Sequence, residues 1–337
     1  MADDPKSPIS GNPTKRHVSH EIPAEGDNGL FTQAWYPICL SSAATNTNVR
    51  GFDFLDGKVI VVRDEAGKAQ VLSAYCPHMG ADLSAGHMVD GQIRCVFHHW
   101  KYGADGRCRS TAIGDPAPEA ARLFRFPTQE RWGLVWAYNG ETPHYDLPDM
   151  RYPDDEMAFK VRVLPDLPVD PWIICANTPD IQHIKTLHGI TIDGEDRHDA
   201  VEWTDHSLKY SFTGVYSNGD KLFNEIGIFG PTLYWQSTDF GPKWFGFMSP
   251  FGLPRPGVSA LYMIVCTRKD SGTPEEIDAF LDFVLDFEGK VVSEDVHNML
   301  TMRFKPGVLT RSDQSLARYL RMMKDFPRAH PSRDFIR

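Results

Sequence analysis

From residue 31 to about residue 138 the apolar positions come in short runs, each closed by turn-forming residues. Runs at 51–55 and 59–63 flank an Asp56-Gly57 turn, and Asp64 to Lys68 leads into a third run at 70–75, so the spacing predicts consecutive antiparallel hairpins. Further strands are expected at 93–97 and 131–138. Residues 139–156 carry three prolines and many acidic residues and read as a connection. Beyond it, alternation predicts strands within 201–215 and 233–248. Ile277, Phe280, Leu281, Val284 and Leu285 then follow the i, i+3, i+4, i+7, i+8 spacing of one helix face, with a second helical segment near the end. The expected fold class is α+β: an all-β domain at 31–140, a linker at 141–156, and a domain of antiparallel sheet and helices at 157–337. Residues 1–30 are expected to form a mobile arm.

Composition keeps this picture and narrows the functions. At 337 residues the chain exceeds the usual single domain, and 41% hydrophobic with 24% charged residues is ordinary for a globular protein. Its 35 basic and 45 acidic residues give a net charge of −10, which argues against nucleic-acid binding. The longest apolar runs, such as Val59 to Val62, fall far short of the roughly 20 residues of a membrane span. The first thirty residues lack the apolar core of a secretory signal. Six cysteines (Cys39, Cys76, Cys95, Cys108, Cys175 and Cys266) make no dense disulfide framework, so a reducing cytoplasm is the expected location. No Gly-x-Gly-x-x-Gly follows a strand, so NAD(P)H or flavin is not expected to bind this chain directly.

Cys76 and His78 are separated by one residue, Cys95 and His98 by two, and sixteen residues lie between the pairs. Two thiolates and two imidazoles also suit a tetrahedral zinc knuckle. In zinc fingers, however, like ligands sit together, whereas each pair here supplies one of each kind. If Cys76 and Cys95 hold one iron and His78 and His98 the other, the result is a Rieske [2Fe–2S] centre. Neutral imidazole raises its potential to roughly −150 to +300 mV, so the electron can move on to a stronger oxidant.

Downstream, the segment from Asn177 to His188 contains Asp180, His183 and His188. A spacing of five puts the two histidines roughly 140° apart around a regular helix. They are therefore either unrelated, or brought together by a local π-bulge of the kind found at functional sites. Two imidazoles and a carboxylate form the facial triad that holds non-haem Fe(II) with open positions, and such a site would accept the cluster's electrons.

With these motifs in place, the chain resembles the oxygenase components of Rieske non-haem iron oxygenases from about Trp35 onward. The family pattern Asn-x-x-Asp-x-x-His-x4-His is matched by Asn177, Asp180, His183 and His188. The resemblance implies a helix-grip-like catalytic domain and a mononuclear Fe(II) held by His183, His188 and an acidic residue on a late helix, here Asp295 in preference to Glu294. It implies that Asp180 hydrogen-bonds an iron-site histidine and a Rieske histidine of a neighbouring subunit, hence a head-to-tail homotrimer. Asn177 either contacts substrate or caps a helix, and its residue type favours the cap. Most members have glycine after the second Rieske histidine, where this chain has His99, read as a surface residue.

The segments 75–86, 97–108 and 294–326 resemble the 3-ketosteroid 9α-hydroxylase and cholesterol 7-desaturase branch. Single-chain O-demethylases of methoxylated aromatics share the Asn177 to His188 pattern equally. The implied reaction is mono-oxygenation, as hydroxylation or oxidative demethylation, of an apolar ring-containing substrate. It uses O2 and electrons from a reductase or ferredoxin, and NAD(P)H serves only through that partner. Aromatic strands at 233–235 and 240–251, with Trp244, Phe245 and Phe247, are candidate pocket walls. Arg94, Lys101, Arg107 and Arg109 form a basic group suited to an acidic electron donor. The competing readings are a Rieske electron-transfer protein without oxygenase activity, and a binding protein with a vestigial iron site.

Overall fold

In the N-terminal half, strands Arg50–Phe54, Gly57–Arg63 and Ala69–Ser73 pair antiparallel in chain order. The computed structural model describes residues 22–192, 198–215, 219, 221–302 and 307–337. The unbroken run from Val59 to Val62 is explained by two cores. Val59 and Val61 point to one shared with Tyr36 and Phe54, while Ile60 and Val62 point to another shared with Leu72, Cys76, Cys95 and Tyr102. The expected turn slips by one residue: Phe54 pairs with Gly57, so Leu55 and Asp56 turn the chain. Leu55 takes a φ of 59°, fully buried, with its amide donating to Leu253 O at 2.8 Å. A contact from the other half overrides the local turn preference.

A second sheet joins Thr128–Arg131, Leu134–Tyr138 and Trp35–Leu40; Trp132 and Gly133, at φ 55° and 80°, make its tight hairpin turn. A third, four-stranded sheet of His87–Val89, Gln92–Arg94, Lys101–Tyr102 and Cys108–Ser110 carries the Cys/His loops. The strand expected at 93–97 stops at Arg94, because Cys95 begins a loop.

Among the described residues the C-terminal half forms an eight-stranded antiparallel sheet. Its main path runs Met157–Leu167, Val258–Arg268, Lys243–Arg255, Leu233–Phe240, Lys221–Phe229, Ser207–Val215 and Thr191–Ile192. The run at 233–248 breaks where Gly241 takes a φ of 57°. Among the described residues four helices accompany the sheet: α1 Pro171–Cys175, α2 Ile181–Thr186, α3 Pro274–Thr301 and α4 Gln314–Asp325, with a short α5 at Arg333–Ile336. Thr273 and Glu276 close a capping box on α3 and Pro274 occupies its first turn, an arrangement worth about 1 kcal/mol. The five residues of its predicted face are all buried against Phe245, Phe247, Met263 and Val265 of the sheet. Each such side chain contributes about 1.5–3 kcal/mol. The helix therefore lies fixed across the sheet, and the groups further along its face are fixed with it. Among the described residues no helix is long and apolar enough to cross a membrane.

The halves are less separate than the sequence reading has them. The expected linker is pinned: Leu147 and Met150 are buried in a core with Trp136 and Trp235, and Arg131 donates to Pro148 O at 2.9 Å and pairs with Asp154 at 2.6 Å. The end of the chain returns to the N-terminal half. Arg328–Ala329 pairs with Phe31–Thr32, and Ile336 is fully buried in the N-terminal core, its carbonyl against Gly57; Arg337 pairs with Asp56. Residues 1–21 of the expected arm lie outside the described residues. Residues 22–30 are held instead: Glu25 is buried, its carboxylate accepts from Thr32 N at 2.9 Å, and its own amide donates to Asp170 at 3.0 Å.

Candidate functional site

The two Cys/His loops are built alike. Gly80 N donates to Cys76 O at 2.8 Å and His99 N to Cys95 O at 3.1 Å, so each loop wraps back on its cysteine four residues later. Cys76 and Cys95 are buried beneath the loops, whereas His78 is exposed and His98 partly so. The imidazole rings of His78 and His98 lie 4.5 Å apart, and His78 stacks on Trp100 at 4.3 Å. Cys76 Sγ is 3.0 Å from the hydroxyl of fully buried Tyr102. Burial pushes the Cys76 thiol up, so it ionises only against a compensating cation.

These donors fit a two-iron cluster and not a single zinc. A tetrahedral zinc, with bonds of about 2.0–2.3 Å, needs its four donors crowded together. Among the described residues the only group of three or more His, Cys, Asp or Glu donors lying within 4.8 Å of one another is that of His183, His188 and Asp295. Two buried thiols and two imidazoles at the rim match the division between a cysteine-held and a histidine-held iron.

That second group forms where α2 meets α3. Asp180 caps α2, its Oδ1 accepting from His183 N at 3.0 Å, so Asp180 and not Asn177 is the helix cap. Burial raises the Asp180 carboxyl, an effect opposed by the His183 amide. No π-bulge is needed to gather the histidines. The helix ends at Thr186, and Gly189 at a φ of 61° lets Ile190 N close back on Ile184 O, which swings His188 toward His183. Their Nε2 atoms are 3.1 Å apart with the rings at 89°. Asp295 Oδ1 lies 3.0 Å from His183 Nε2 and 3.4 Å from His188 Nε2. This buried oxygen has no conventional hydrogen-bond partner, as expected of an atom placed for a metal. Glu294 is more exposed and reaches the other face of His188, 2.8 Å from Nδ1, where it can fix the ring's orientation. Three donors of this kind suit a non-haem Fe(II) with open positions.

The three donors open on a cavity also lined by Asn177, Ile184, Phe212, Phe247 and Leu261. Of the expected wall residues Phe247 is there, as are Tyr234 and Phe251. Leu233, Trp235 and Trp244 point to the opposite face of the sheet, into a core with Trp136, and Phe245 packs under the first half of α3. Strand alternation decides which aromatic faces the cavity.

One lining residue that sequence reasoning missed is Glu288, 3% exposed and on the same face of α3 as Asp295. Burial pushes its carboxyl up to about 8, against a lowering hydrogen bond from Gln236. A glutamate in register with the apolar stripe of 277–285 was the available signal. The expected basic group is partly neutralised: Arg109 pairs with Asp105 at 2.7 Å and Lys101 with Asp90 at 3.6 Å. The cluster rim is instead apolar, with Met79, Val96 and Phe97 exposed at 66%, 48% and 59%.

Residues 34–125 match the family model of the Rieske [2Fe–2S] domain. The chlorophyllide a oxygenase of Chlamydomonas reinhardtii is 27% identical over 178 residues, covering 52% of this chain and 27% of that protein. The cholesterol 7-desaturase nvd 1 of Ciona intestinalis is 28% identical over 179 residues, covering 52% of this chain and 37% of its own length. The chain thus spans well under half the length of these relatives. The crystal structure of dicamba monooxygenase bound to dicamba shares the fold along nearly the whole chain, with a TM-score of 0.67, 88% of this chain and 97% of that one covered, at 18% identity. The chain thus carries a Rieske [2Fe–2S] domain at residues 34–125 and shares its overall fold with the dicamba monooxygenase structure.

Proposed function

We propose that this chain is a terminal oxygenase that mono-oxygenates an apolar, ring-containing substrate by hydroxylation or oxidative demethylation. The observation that carries the reading is the convergence of His183, His188 and Asp295 on one apolar cavity, in a chain that also has a Rieske domain. Cys76, Cys95, His78 and His98 would hold the [2Fe–2S] cluster, and His183, His188 and Asp295 a mononuclear Fe(II). When bound, these groups supply single electrons and the reductive activation of O2, in which two electrons and two protons accompany entry of one oxygen atom into the substrate and release of the other as water.

The protein's part is placement. Asp180 holds the start of α2, Glu294 orients the His188 ring, and Ile184, Phe247 and Leu261 keep bulk water from the reacting position. Electrons come from a reductase or a ferredoxin, with NAD(P)H used only by that partner. The apolar rim of Met79, Val96 and Phe97 beside the exposed histidines is the surface such a donor would cover. The cytoplasm is the setting that six unpaired cysteines suit.

Assembly is part of the proposal. The core around Cys76 and Cys95 is made wholly of residues from 49–123, and no iron-site residue packs into it. A neighbouring copy in a homotrimer would bring its Rieske histidine to Asp180. The test reconstitutes the chain with a surrogate reductase and measures non-cluster iron and coupled O2 uptake over a panel of steroids and methoxylated aromatics. One non-cluster iron per chain, lost in His183→Ala, is expected. A cluster that reduces normally in a protein without that iron would return the chain to electron transfer alone. Co-assembling a His78→Ala chain with a His183→Ala chain should restore activity that neither has; no recovery in mixed oligomers would remove the inter-subunit relay.

A further inference from the structure

Glu288 heads a line of buried polar groups on the cavity wall. Gln236 Nε2 donates to Glu288 Oε1 at 2.9 Å and to Thr238 Oγ1 at 2.9 Å, while Gln236 Oε1 accepts from Tyr234 Oη at 2.6 Å. Thr238 Oγ1 in turn donates to Asn224 Oδ1 at 2.7 Å. Both Gln236 N–H groups are committed, so the directions of the line are set. Two groups are left over: the amide N–H2 of Asn224 and the second oxygen of Glu288, which has no hydrogen-bond partner among the described residues. Glu288 and Asn224 are each 3% exposed and both line the cavity.

We propose that Glu288, with Asn224 beside it, anchors the substrate by donating a hydrogen bond to one neutral acceptor oxygen, a ring ketone or comparable carbonyl, and that the cavity rejects carboxylates. The proposal rests on the cavity being the substrate site. Because Oε1 accepts from Gln236, the proton of a neutral Glu288 sits on the remaining oxygen, as a donor. Burial holds the carboxyl at about 8, so it keeps that proton at neutral pH. Among the described residues lining the cavity there is no lysine or arginine, so a buried substrate carboxylate would lack a cation. Glu288 lies seven residues before Asp295 on α3, about 10 Å along the helix axis, so the anchored oxygen sits at the far end of a ring system from the attacked position.

The test is equilibrium binding to the iron-loaded, unreduced protein by calorimetry, with β-tetralone, tetralin and tetralin carboxylate as probes. β-Tetralone should bind about tenfold tighter than tetralin and tighter still than the carboxylate. Glu288→Gln, which keeps an N–H donor, should retain the preference for the ketone. Glu288→Leu should abolish it while leaving tetralin binding within about twofold. Wild-type protein that binds the carboxylate as well as the ketone, or a Leu variant with an unchanged ketone-to-tetralin ratio, overturns the proposal. The wild-type arms decide the matter alone if the Leu variant does not fold. Iron content and O2 uptake are measured on the same preparations. A ketone preference without non-cluster iron sinks the oxygenase reading and leaves the anchor standing, and iron-dependent turnover without that preference does the reverse.

Discussion

Gly80 and His99 hold equivalent places in the two ligand loops: each donates its amide to the carbonyl of the cysteine four residues before it, with φ at 74° and 55°. Glycine adopts that left-handed conformation freely and histidine does not. The His99 side chain is exposed, so little packing offsets the strain. His99→Gly should stabilise the cluster-loaded protein by about 0.5–1 kcal/mol, the lower figure allowing for the greater freedom of glycine in the unfolded chain. Denaturant unfolding checks it; a less stable variant would show that the imidazole has a role of its own.

Tyr102 lies within hydrogen-bond reach of Cys76 Sγ in a buried setting. A hydrogen bond to a cluster sulfur favours the reduced, more negative state. Tyr102→Phe should therefore lower the reduction potential by about 40 mV, taking roughly 1 kcal/mol for the bond and 59 mV per tenfold for a one-electron couple. Redox titration followed by electron paramagnetic resonance reads this directly, and an unmoved potential would mean that the hydroxyl does not donate to sulfur.

Asp295 and Glu294 are neighbours in sequence with different reach, one toward both Nε2 atoms and the other toward Nδ1 of His188. Asp295→Ala should lose the non-cluster iron, while Glu294→Gln should keep most of it, with affinity lowered about 10–100-fold. Iron analysis after dialysis against a chelator separates them. Equal losses would put both carboxylates on the metal.

Asp180→Asn is a clean probe because asparagine caps a helix as well as aspartate does, so the bond to His183 N survives. The variant should fold and load both metal centres, yet lose nearly all coupled turnover, because the carboxylate that would join two imidazoles is gone. Normal turnover at full iron content would confine Asp180 to its capping role.

Glu288 also makes a stability prediction. Its carboxyl sits at about 8 in the folded chain against an ordinary 4.5. A raised value means the folded state binds the proton more tightly, so the contribution is complete below about pH 4.5 and is lost as pH climbs through 8. Relative to Glu288→Gln, which does not titrate, the wild type should lose up to about 1.4 kcal/mol per pH unit across that window. Urea unfolding at about pH 5 and about pH 8 tests the slope; parallel behaviour of the two proteins would mean that Glu288 is ionised or hydrated in the fold.

What could be read from the sequence was local. The face of α3 was legible because burial at Ile277, Phe280 and Leu281 repeats with the helix period, and the cluster loops because each keeps its ligands within a few residues. The approach of His188 to His183 was not, since it depends on where α2 ends and on Gly189, not on helical spacing. Leu55 turns because Leu253 of the other half accepts its amide, and Trp244 leaves the cavity because of strand parity. Neither can be judged from the residue and its neighbours.

The strand Phe31–Thr32 finds its partner, Arg328–Ala329, only beyond the whole C-terminal sheet, and Ile336 completes a core begun by Tyr36 and Phe54. During synthesis the N-terminal half therefore stays unfinished until the C-terminal sheet and helices have left the ribosome. Its iron–sulfur group must either enter an open domain or wait for the whole chain, and expressing residues 31–140 alone leaves that core without its closing piece.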